Sequence, residues 1–129
     1  MPTISCAATW FTCPPGSGAC GTCDTNLEGA AWPWVTGHPP NFASDCGSSG
    51  VLERACGFIL SVSNLCPPNS CVFPPIVDHG PGTSVICKVN YPPCDRNHGR
   101  RRLIDLTEYT FIELGGDPSD GIIPVTVTF

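Results

Sequence analysis

The side chains with the most chemistry to offer are the cysteines. There are ten in 129 residues: Cys6, Cys13, Cys20, Cys23, Cys46, Cys56, Cys66, Cys71, Cys87 and Cys94. Cys20-Gly-Thr-Cys23 has a spacing used for zinc and for redox work. A structural zinc site wants a second close Cys pair or a His pair. Cys66/Cys71 and Cys87/Cys94 are too widely spaced for that. A redox Cys-x-x-Cys belongs beside a βαβ pattern, which this sequence lacks. No metal and no cofactor is implied, and all ten cysteines are expected in disulfides. Such a density points to an oxidising compartment, hence to a secreted or cell-surface protein. Ten cysteines permit on the order of a thousand pairings, and spacing does not choose among them.

Aromatic side chains are the second group. Trp32-Pro33-Trp34, Trp10, Phe42 and Tyr91 could stack on sugar rings, since aromatic faces bury large area. The competing role is core packing, which suits Trp10. Trp32 and Trp34 fall in a polar, Gly/Pro-rich stretch, which places them at the edge of a groove, with Tyr91 as a further contact. The chain carries eleven acidic against six basic residues, a net charge of -5. That argues against nucleic acid, which needs a basic footprint. The one basic cluster, His98-Gly99-Arg100-Arg101-Arg102, reads as a solvated loop. No apolar run reaches the ~18 residues of a membrane span.

These groups need a scaffold. With 14 Gly, 15 Pro and only 13% charged residues, short strands and turns are expected rather than long helices, in one domain spanning 1–129. Residues 4–11 (ISCAATWF) read as a first strand, stopped by Cys13-Pro-Pro-Gly. Residues 20–45 read as a long crosslinked loop with at most short strands. Strands are expected at 56–64, at 72–78 with its two prolines at an edge or bulge, and at 84–90. Leu106 to Leu114 reads as a short helix, with Asp105 and Glu108 resembling a capping box and Gly115-Gly116 as the stop. Residues 122–129 form a last strand, with Val125, Val127 and Phe129 facing in and Thr126 and Thr128 facing out. Several short strands plus one helix suggest a small closed β-barrel.

Three segments in order resemble the double-psi β-barrel superfamily, which includes rare lipoprotein A domains, barwin-like proteins, expansin first domains and small barrel endoglucanases. Gly18-Ala-Cys-Gly-Thr-Cys23 resembles the turn after the first strand. Cys56-Gly-Phe-Ile-Leu-Ser-Val-Ser-Asn64 followed by Ile76-Val-Asp-His-Gly-Pro81 resembles the rare lipoprotein A "F-G-T-x-V-x-V-T-N … V-N-D-x-G-P" run. Leu103-Ile-Asp-Leu-Thr107, Phe111 and Gly121-Ile-Ile-Pro-Val125 resemble its closing signature. A competing register sets residues 89–96 against the barwin-like "D-x-C-P-x-C-D-R". The first register matches Asp-His-Gly-Pro without a gap. The resemblance implies an all-β, six-stranded double-psi barrel with one short helix and disulfide-stapled loops.

It also implies a pair of carboxylates. Asp78 and Asp105 match positions that share a polysaccharide groove in expansins and barrel endoglucanases. Glycoside hydrolysis needs two carboxyl groups at ~5–9.5 Å, one of them a proton donor, and Asp105 would be that donor. Their competing roles are structural: Asp105 as a helix cap, Asp78 as a turn residue before Gly-Pro. Thr12 stands where the endoglucanase pattern has its catalytic Asp. The lytic transglycosylases carry a Glu and a His upstream of the Asp, for which only Glu53 and His38 lie nearby in this chain. The expectation is a secreted, non-hydrolytic module binding cell-wall polysaccharide (peptidoglycan, cellulose or chitin), with Asp78, Asp105, Trp32, Trp34 and Tyr91 on the glycan. The alternatives are a glycan-cleaving enzyme using Asp78 and Asp105, and a protein-binding module. The last would be a protease inhibitor built on the Cys94–His98 loop or a self-assembling surface protein.

Overall fold

The computed structural model describes residues 1–40, 50–80 and 102–129. Tyr91, Phe42, Cys46, Cys87, Cys94, the expected strand at 84–90 and the proposed inhibitor loop lie outside them. Among the described residues there are seven strands and one helix: β1 (Thr3–Phe11), β2 (Ala30–Trp32), β3 (Ser61–Asn64), β4 (Cys71–Val72), β5 (Ile76–His79), β6 (Arg102–Thr107), α1 (Glu108–Glu113) and β7 (Ile122–Thr128). The strands form one sheet in the order β4-β3-β7-β1-β6-β2-β5. The all-β expectation holds. Seven strands occur among the described residues where six were expected, and the sheet order leaves β4 and β5 as its two margins.

The first and last strands lie where their β-branched and aromatic residues put them. β1 runs antiparallel to β7, with Cys6 opposite Val125 and Ile4 opposite Val127. Val125, Val127 and Phe129 are buried, and Thr126 and Thr128 are only partly so, as alternation demands. The expected strand at 72–78 is two strands separated by Phe73, Pro74 and Pro75, because proline cannot donate to a ladder. On its other side β1 pairs with β6 in parallel, Thr9 opposite Asp105. Nearly all of β6 is buried, so no polar–apolar alternation marks it, and Asp105 and Thr107 are buried polar residues within it.

The helix is shorter than expected and is capped differently. Asp105 lies on β6 and does not cap it; the N-cap is Thr107, whose side chain accepts from Thr110 N. At the other end Gly115 takes φ +93° and Gly116 N donates to Phe111 O at 2.9 Å. A Cβ on Gly116 would lie 2.4 Å from the Phe111 ring, so only glycine lets the chain fold back there.

Trp32, Phe111, Phe129, Leu60, Ile76, Leu103, Ile104 and Leu106 are fully buried together. Trp32 corrects an expectation. It stands in the core, its ring centroid 4.9 Å from that of Phe129 and its Nε1 donating to Leu52 O at 2.9 Å. As part of β2 it follows the strand's core-facing phase, and no sugar can reach it.

Two disulfides staple the loops, Cys13–Cys23 and Cys20–Cys56, and Cys66 is also disulfide-bonded. Cys71 departs from the expectation that every cysteine is bridged. It carries a free, exposed thiol on marginal strand β4, where Ser63 Oγ donates to its sulfur at 3.5 Å. No described helix is long and apolar enough to cross a membrane.

Candidate functional site

Four strands bring four residues into one row. Thr9 on β1 is opposite Asp105 on β6, Asp105 is opposite Ala31 on β2, and Ala31 is opposite Asp78 on β5. Residues directly opposite one another share a face of the sheet. The two carboxylates expected to act together therefore do share one face, on strands two apart. At ~4.8 Å per strand their backbones are ~9.6 Å apart, with only the Ala31 methyl group on the strand between.

Strict alternation would not put them there. Ile76 is a core residue, and Asp78, two residues on, should share its face. A register shift lies between Ala30 and Ala31, so Ile76 pairs with Ala30 and Asp78 with Ala31. The second shift lies between Ala7 and Ala8, so Arg102 pairs with Ala7 and Ile104 with Ala8. One extra residue in each of β5 and β6 turns a charged side chain from the core face to the row, the usual effect of a bulge.

The consequence is a bonded cluster. Thr9 Oγ1 donates to Asp105 Oδ1 at 2.5 Å, Arg102 Nη2 to Asp105 Oδ2 at 3.1 Å, and Arg102 Nε to Thr9 Oγ1 at 2.9 Å. Both oxygens of Asp105 are thus occupied as acceptors. This suits a fixed acceptor and neutralised charge better than a proton donor. Asp78 Oδ1 accepts from His79 N and Ala19 N, each at 2.8 Å. It holds the 17–23 turn against β5, with Cys20 N donating to Val77 O at 3.3 Å. Gly18 makes that approach possible: its φ is +82°, and a Cβ there would lie 2.9 Å from Val77 O. Asp78 is therefore more than a turn residue.

Past the end of β2 the chain opens a cleft of about 250 Å³ lined by Trp34, Val35, Gly37, His38, Pro39 and Glu53. Trp34 and His38 are half-buried and Glu53 is exposed. Arg54 N donates to Trp34 O and Thr36 N to Arg54 O, each at 3.0 Å, which draws the 53–54 segment against the loop after β2. The His38 ring lies 5.4 Å from that of His79, and His79 Nε2 sits 3.1 Å from Pro33 O. His79 follows Asp78 on β5 but is opposite Trp32, so its ring faces away from the carboxylate row and toward His38.

Of the residues expected from sequence, Asp78 and Asp105 share one face of the sheet, and Trp34, His38 and Glu53 line a separate cleft. Trp32 is excluded by burial. Thr9 and His79 were not singled out as site residues, and Arg102, expected in a solvated basic loop, lies instead on β6, half-buried and paired with Asp105. The signal for His79 was its place beside Asp78. That for Arg102 was hidden by the bulge, which makes an i, i+3 pair on a strand face the same way. No group of three or more metal-ligating side chains capable of holding an ion occurs among the described residues. Searches against protein-family models and against curated proteins give no match to this chain.

Proposed function

We propose that this protein is a secreted, disulfide-stapled β-domain that binds cell-wall polysaccharide without hydrolysing it, as the resemblance to expansin first domains implies. The observation that carries the reading is the row Thr9–Asp105–Ala31–Asp78 on one face of the sheet, two carboxylates flanking a methyl group, with the Trp34 cleft past the end of β2. Sugar hydroxyls suit carboxylate acceptors, and Trp34 offers an aromatic face for a pyranose ring. The occupation of both Asp105 oxygens by Thr9 and Arg102 argues for binding over acid catalysis. Closure of the sheet into a double-psi barrel belongs to the same proposal. Its support is a bridge between Ile59 and Pro75, with Leu60 N donating to Pro74 O and Ile76 N to Phe58 O. These bonds tie the segment entering β3 to the segment entering β5.

A second reading is glycan cleavage of the lytic transglycosylase kind, favoured by His38 and Glu53 lining one cleft. A single experiment separates the two. The oxidised protein is mixed with insoluble peptidoglycan, cellulose or chitin, and the supernatant is assayed for lost protein and released sugar. Depletion without sugar, abolished in Trp34→Ala and weakened in Asp78→Asn, is the expected result. Sugar release that disappears in Glu53→Gln would establish the enzyme. No depletion on any of the three would end the glycan reading.

A further inference from the structure

The geometry points to a second binding surface at the opposite end of β2 from the cleft: an acid-rimmed apolar patch around α1 that docks a basic, apolar-anchored segment of a partner protein. Leu27, Tyr109 and Ile112 are 56%, 46% and 51% exposed. Tyr109 and Ile112 are neighbours on the helix at i, i+3, and the backbone of Leu27 is held against the start of the helix. Thr107 Oγ1 donates to Leu27 O at 2.6 Å, Tyr109 N to Thr25 O at 3.2 Å, and Gly29 N to Thr110 Oγ1 at 2.9 Å. The loop is thus pinned to the helix and the patch is preorganised, so little ordering cost remains for a partner to meet. A grouped exposed apolar surface with a polar rim marks a protein-binding site more often than scattered single residues do.

The rim selects the partner. Glu28, Glu108 and Glu113 border the patch. The Glu113 carboxyl hydrogen-bonds Glu28 and repels it, and together with partial burial this holds Glu28 above the usual carboxylate range. The same carboxyl raises the Tyr109 hydroxyl. Among the described residues no cation faces this charge. The two guanidinium groups among the described residues are engaged elsewhere: Arg102 with Asp105, and Arg54 over the Phe58 and Phe129 rings. A lysine or arginine placed between Glu28 and Glu113 would relieve the repulsion, and its apolar neighbours would cover Leu27 and Ile112. By linkage, such a cation binds the ionised pair, so its affinity falls as pH drops through the raised Glu28 range.

The test titrates the whole oxidised protein with a synthetic lysine/leucine amphipathic peptide, with oligolysine of equal length, and with the peptide carrying glutamate for lysine. The lysine/leucine peptide is expected to bind, oligolysine about tenfold more weakly for want of apolar cover, and the glutamate peptide not at all. Glu28→Gln/Glu113→Gln should weaken binding roughly threefold to tenfold, and Ile112→Ser should weaken it too. Asp117→Asn/Asp120→Asn removes the same charge from another loop and should leave it unchanged. No binding, equal binding of oligolysine, or an equal loss in the Asp117/Asp120 variant would overturn the proposal. Polysaccharide depletion by the Glu28/Glu113 variant is expected to be normal, so the two surfaces stand or fall separately.

Discussion

Trp32 and Trp34, two residues apart, should respond to truncation in opposite ways. Trp32→Ala removes a fully buried ring, its packing at 4.9 Å on Phe129, and the hydrogen bond to Leu52 O. Truncating a buried tryptophan costs ~3–5 kcal/mol, a large share of the ~5–15 kcal/mol of a typical domain. With a urea m-value of ~2 kcal/mol/M, the midpoint should fall by ~2 M. Trp34 is half-buried at the cleft. Its truncation should cost no more than ~1.5 kcal/mol, yet should abolish polysaccharide depletion. Urea unfolding followed by far-UV circular dichroism, run beside the depletion assay on both variants, gives the comparison. A Trp32→Ala protein with a midpoint within ~0.5 M of the parent and no glycan binding would refute the assignment of the two side chains.

The two defined disulfides should differ in worth. Loop-closure entropy gives ~3.8 kcal/mol for Cys20–Cys56, with a sequence separation of 36, and ~2.7 kcal/mol for Cys13–Cys23, with a separation of 10. Paired Cys→Ala variants in urea should show that order, and the reverse order would contradict it. Gly116→Ala should cost ~1–3 kcal/mol through collision with the Phe111 ring, seen as a lower Tm, whereas Gly57→Ala meets no atom within 4 Å and pays only its left-handed backbone. Because Glu113 raises Glu28, the native state holds that proton more tightly than the unfolded chain. The stabilisation is full below the ordinary carboxylate range and lost as pH rises through the raised value. Glu113→Gln should therefore be more stable than the parent by a few tenths of a kcal/mol at neutral pH, with the difference vanishing near pH ~4. Denaturation midpoints across pH check the sign.

Much of the outer frame could be read from the residues. The β-branched and aromatic residues of 4–11 mark β1, alternation over 125–129 marks β7, and Gly115-Gly116 ends the helix where expected. β6 was hidden because a strand buried on both faces shows no alternation, and its Asp105/Glu108 spacing imitated a cap that Thr107 and Thr110 supply. Trp32 was misplaced because three strand residues amid Gly and Pro carry too little pattern to outweigh a polar setting. The row of Asp78 and Asp105 followed from the family resemblance, not from periodicity. Each aspartate owes its orientation to a one-residue register shift, and such a shift is set by pairing with a distant strand rather than by any local preference.

The position of β1 has a consequence for how the protein is made. Of the described strands it is made first, yet it lies between β6 and β7, the last two. Its bond from Thr9 to Asp105 spans 96 residues. At ~5–20 residues per second, the first strand must wait on the order of ten seconds for its partners. Until then it presents two unpaired edges. Nearly all of residues 3–128 must be present before the sheet can assemble, so the order of synthesis and the order of strand pairing are uncoupled in this fold.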